Sequence, residues 1–95
     1  GGFRFQGSRK AGRFDMGAQI NWEEGISLHV QTLFPRSGRL VLLHNGNPVQ
    51  ETSGEEISYA VGSPGVYRVE VYLKGYSPLP ANVPWIVSNP IFIRK

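Results

Sequence analysis

The chain has 95 residues, 40% hydrophobic and 18% charged, which is enough for one domain with one core, too short for two, and not the balance of a disordered chain. It has no cysteine, so disulfides, Cys-based zinc sites and a thiol nucleophile are excluded. The net charge is +3, and the excess is concentrated in residues 1–22, where Arg4, Arg9, Lys10 and Arg13 face Asp15 alone while acidic and basic residues balance over the rest.

Gly (12) and Pro (7) are both frequent, which favours many turns and short strands over long helices. Phe3 and Phe5 alternate with Arg4 and Gln6 as a short strand, and Ser8 to Arg13 reads as a polar loop or linker. Residues 1–13 are therefore expected to form an N-terminal junction or linker, and residues 14–95 the domain proper. Phe14, Met16, Ala18 and Ile20 repeat with period two, and Gly17 suggests a bulge in that strand. Ile26 to Leu33 predicts a strand with Ile26, Leu28 and Val30 on one face. After a turn at Pro35–Gly38, Arg39 to His44 is apolar on both faces, as a central strand would be, and Asn45-Gly46 marks a tight hairpin turn. Pro48 to Thr52 returns as an edge strand.

Ile57, Tyr59 and Val61 form the next alternating run. Val66 to Leu73 is the strongest strand pattern, with Tyr67, Val69, Val71 and Leu73 on one face and Arg68, Glu70 and Tyr72 on the other. A proline-rich loop from Lys74 to Pro84 follows, and Trp85–Val87 with Ile91–Ile93 reads as a last strand broken, or switched between sheets, at Ser88-Asn89-Pro90.

About seven short strands with frequent turns predict an all-β, immunoglobulin-like antiparallel sandwich of two sheets. Tyr67, just after Pro64-Gly65, is either a tyrosine corner, its hydroxyl tied to nearby backbone, or a half-buried strand aromatic.

The search for chemistry gives little. His29 and His44 lack metal-ligand spacing and read as surface histidines. Glu23-Glu24 and Glu55-Glu56 are sequence neighbours whose side chains diverge. No Gly-x-Ser-x-Gly or phosphate-loop pattern occurs. The expectation is no catalytic residue, no metal ligand and no cofactor in this chain. No apolar run reaches the roughly 18–20 residues that span a bilayer, so no membrane partner is expected. Nucleic acid is an unfavoured partner, because the basic residues form a leader and not an aromatic-studded face. Trp22, Tyr72, Tyr76 and Trp85 are candidates for sugar stacking, with core or interface packing as the alternative.

The segments Pro64–Leu73 and Pro84–Ile93 (Pro-Trp-Ile-Val-Ser-Asn-Pro-Ile-Phe-Ile) resemble the C-terminal end of bacterial metal-dependent hydrolases of the polymerase-and-histidinol-phosphatase (PHP) superfamily. Gly38–Gly46 is similar to the central hairpin of their small β-sandwich, and Ala11–Gly17 to the junction where it begins. The resemblance implies a non-catalytic accessory domain, cut from a larger phosphoesterase, whose divalent metals sit in an upstream barrel. That barrel, in the same polypeptide, is the expected partner. Tyr76, Leu79 and Trp85 are the expected docking surface, with weak self-association when the partner is missing. A carbohydrate- or surface-binding module using exposed aromatics is the alternative.

Overall fold

Alternation of apolar and polar residues decides the architecture of the computed structural model, which describes residues 2–32, 37–73 and 83–95 and contains no helix among them. Ten strands follow in order: β1 (Phe3–Arg9), β2 (Gly12–Asp15), β3 (Gln19–Asn21), β4 (Ser27–Thr32), β5 (Ser37–His44), β6 (Asn47–Thr52), β7 (Glu56–Ala60), β8 (Gly65–Leu73), β9 (Ile86–Val87) and β10 (Ile91–Arg94). They form two sheets, one in the order β2-β1-β4-β7 and the other β3-β10-β8-β5-β6, with β9 also on β8. The expected turn at Pro35-Arg36 and most of the proline-rich loop, with Tyr76 and Leu79, lie outside the described residues.

The inward faces are those read from the period-two pattern. Leu28 and Val30 of β4, with Ile26 just before it, meet Leu40 and Leu42 of β5 and Tyr67, Val69 and Val71 of β8, all at most 1% exposed. Each fully buried aliphatic side chain of this kind contributes about 1.5–3 kcal/mol relative to exposure. Strand β5 lies between β8 and β6, and its outward residues Val41 and Leu43 are also buried, as its two-faced apolar pattern requires. Strand β6, which carries Pro48, is an edge.

The sandwich is immunoglobulin-like, and Tyr67 is a tyrosine corner: its hydroxyl donates to the Ser63 carbonyl at 2.7 Å. The corner is locked from a second side. His44, half-buried and not on the surface, stacks on Tyr67 with ring centroids 4.4 Å apart and bonds the Pro64 carbonyl through Nε2 at 2.8 Å. Asn45 (φ 50°) accepts from the Val66 amide through Oδ1, so the β5–β6 hairpin turn grips the start of β8. Gly65, at φ 147°, is required here, because a Cβ would overlap the His44 ring and meet Asn45.

Three expectations need correction. Residues 3–9 are not a linker: β1 is an interior strand between β2 and β4, and Phe5 is 1% exposed. The polar stretch after it is the tip of the β1–β2 hairpin, and Phe14 lies over Gly7, where a Cβ would overlap its ring. Residues 14–20 are not one bulged strand. The Met16 amide donates to the Phe5 carbonyl in the first sheet, and the next amide, Gly17, donates to the Pro90 carbonyl beside the second, so the chain crosses between sheets there. Having crossed, β3 runs parallel to β10, an exception to the expected antiparallel pairing.

The last strand is broken as expected, but both halves stay beside β8 in one sheet. Ser88 bridges the break. Its amide donates to the Val69 carbonyl and its hydroxyl accepts from the Val69 amide, both at 2.8 Å. The side chain thus takes the place of the strand carbonyl that the bend removes. These two divisions, at Met16-Gly17 and at Ser88–Pro90, account for much of the excess over the expected number of strands.

Candidate functional site

Two surfaces stand out, one on each sheet. On the second, residues 83–87 alternate: Val83, Trp85 and Val87 are exposed, and Pro84 and Ile86 are partly covered. Register explains the direction. Ile86 is opposite Val71 and packs against the core, and Val87 is opposite Glu70 on the outer face. Trp85 is held by its amide, which donates to the Val71 carbonyl at 2.7 Å, yet the residue is 48% exposed, with Val87 at 52%. Among the described residues β9 pairs only β8, so this apolar row borders a free strand edge. Of the three expected docking residues, Trp85 is on the surface; Tyr76 and Leu79 lie outside the described residues.

Beside this row the outer face is polar. The Arg39 guanidinium sits over the Tyr72 ring, 4.2 Å from its centroid, and reaches Glu51 at 3.5 Å. The Tyr72 hydroxyl donates to Glu70 at 2.8 Å, and that bond, with burial, raises its pKa above 10.0. The aromatic candidates do not form one stacking face: Trp22 packs against the core and Tyr72 lies beneath Arg39, leaving Trp85 as the open one among the described residues.

On the first sheet, the outward residues of β1, β4 and β7 are polar except Ala60, and Arg4, Gln6, Ser8, His29, Gln31, Glu56 and Ser58 among them line an open groove of about 370 Å³ with Arg13 of β2 at one end. Cross-strand register lays them in rows. Asp15, Gln6, His29 and Ser58 form one, and Arg4, Gln31 and Glu56 the next. Gln6 donates to Asp15 at 2.7 Å, Gln31 donates to Glu56 at 3.3 Å, and His29 Nδ1 lies 3.3 Å from the Ser58 hydroxyl. His29 is exposed, as expected. Sequence reasoning passed over this groove because its basic residues were read as part of a leader. The signal was present in the alternation Arg4, Gln6, Ser8, once that stretch is taken as an interior strand.

No group of three or more His, Cys, Asp or Glu is placed to hold a metal ion among the described residues. Comparison with known protein families, with curated proteins and with solved structures finds no match.

Proposed function

We propose that this sandwich is a non-catalytic accessory domain that packs against the catalytic barrel of a larger, PHP-type metal-dependent hydrolase within one polypeptide. The exposed row Val83, Trp85 and Val87 carries the reading. An indole and two branched side chains left in water on a strand edge are better explained by a neighbour that covers them than by the needs of this core, which is closed without them. Domain interfaces within one chain bury roughly 600–1,500 Å², and a single large aromatic commonly anchors such a contact. The divalent metals of that hydrolase belong to the barrel; the sandwich would brace the barrel or shape the mouth of its site.

The test is an association measurement between a PHP-type barrel and the sandwich, expressed as separate chains. Binding should saturate, and Trp85→Ser should weaken it at least about tenfold, the effect of losing a central aromatic anchor. Arg68→Gln, an exposed change elsewhere on the same sheet face, should leave it intact. Equal affinity of the Trp85→Ser and unaltered sandwiches would refute the reading.

A further inference from the structure

The groove on the first sheet has a charge arrangement that the docking role does not use. Glu56 lines the groove and Asp15 lies beside it, and each accepts from a side-chain amide, Asp15 from Gln6 and Glu56 from Gln31. Its two arginines are not engaged: among the described residues neither Arg4 nor Arg13 forms an ion pair, and both are exposed. Arg13 is opposite Ser8, four residues along β1 from Arg4, so the backbone positions that carry the two arginines lie about 13 Å apart along the strand direction. Between them lie Gln6 and, across the strand pair, His29.

We propose that this groove binds an acidic polysaccharide. Guanidinium groups grip carboxylates or sulfates in a bidentate fork. Two arginines rooted that far apart along one groove suit an extended chain with more than one charged unit better than a single small anion. The groups between them, amides, hydroxyls and an imidazole, both donate and accept, as sugar hydroxyls require. No Phe, Tyr or Trp lines the groove, which disfavours single-stranded nucleic acid, whose bases would need a broader stacking platform. The sheet that carries the groove is not the one that bears Trp85, so a ligand here and a docked domain there need not compete.

The test uses the full chain in affinity electrophoresis at low salt with polygalacturonate and heparin as carboxylated and sulfated probes, and with dextran, polyglutamate and oligothymidylate as comparisons. Retardation is expected with one or both acidic polysaccharides, and the pair tells which anion is preferred. Arg4→Gln and Arg13→Gln should each weaken it about fivefold, the upper range for an exposed charge pair. Arg68→Gln, the same loss of charge on the other sheet, should not change it. The proposal fails if neither acidic polysaccharide retards the chain, if dextran, polyglutamate or oligothymidylate does so equally, or if Arg68→Gln weakens binding as much as the groove variants. Unchanged thermal melting of each variant separates loss of the site from loss of the fold.

Discussion

At the scale of single residues, Tyr67 does most to define the fold. It is 0% exposed, its hydroxyl is tied to Ser63, and His44 lies flat against it. Tyr67→Phe keeps the ring and removes the bond, so unfolding free energy should fall by about 1 kcal/mol, measured as a lower urea midpoint. The same residue sets an alkaline limit. Burial raises the Tyr67 phenol above its ordinary 10.0, so the unfolded chain gives up this proton more readily than the folded one. The stability contributed by the neutral phenol is therefore complete below pH 10 and is lost as pH rises beyond it toward the folded pKa. Tyr72, raised chiefly by its bond to Glu70, adds to the decline in the same window. Tyr67→Phe should make the fall in urea midpoint between about pH 8 and about pH 11 shallower without abolishing it. A slope identical to that of the unaltered protein would contradict this origin. The corner was legible in the sequence because Pro64-Gly65-Val66-Tyr67 places the phenol one turn past a tight bend. The stacking of His44 was not, because nothing local to His44 shows that the hairpin end folds over a residue 23 positions later.

At the scale of elements, the period-two pattern named nearly every strand and every core face, since each of β4, β7 and β8 buries one parity of its residues, while β5 is apolar and buried on both faces. It failed where the chain leaves one sheet for the other. From Phe14 to Ile20 the parity continues through the crossing, and only the diverging bonds of Met16 and Gly17 reveal it. It also undervalued β1, because basic residues on the solvent face of an interior strand look the same in sequence as those of a linker. The closing segment shows how a break can be made without loss. Ser88 is 8% exposed, and its hydroxyl satisfies the Val69 amide inside the sheet. Ser88→Ala leaves that amide buried without a partner and should destabilise the domain by about 1–3 kcal/mol, read from the denaturant midpoint. Ser88→Thr retains the oxygen and should recover much of the loss. Destabilisation below about 0.5 kcal/mol in the Ala variant would mean that solvent reaches Val69 through the break.

At the scale of the whole molecule, the two sheets present different outer surfaces. One is a largely polar face with a groove; the other carries a salt-linked patch beside an exposed apolar row. Trp85 is on the surface of the second sheet, and the docking proposed for it rests on that exposure. The row that Trp85 shares with Val83 and Val87 was hidden in the sequence, because a bulky closing run fits a core strand as well as an edge until the register with β8 is known. With the row uncovered, the isolated domain should self-associate weakly. Its sedimentation coefficient should rise with protein concentration, and Val87→Lys should remove the rise by placing a charge on the row.

The most direct measurement of the docking claim is amide hydrogen exchange across residues 83–88, compared between the isolated sandwich and the sandwich joined to a PHP-type barrel. The account predicts slower exchange in this segment when the barrel is present, with the groove strand β1 unchanged. Exchange at 83–88 that is the same in both, with Trp85 as open to solvent beside the barrel as it is alone, would contradict it.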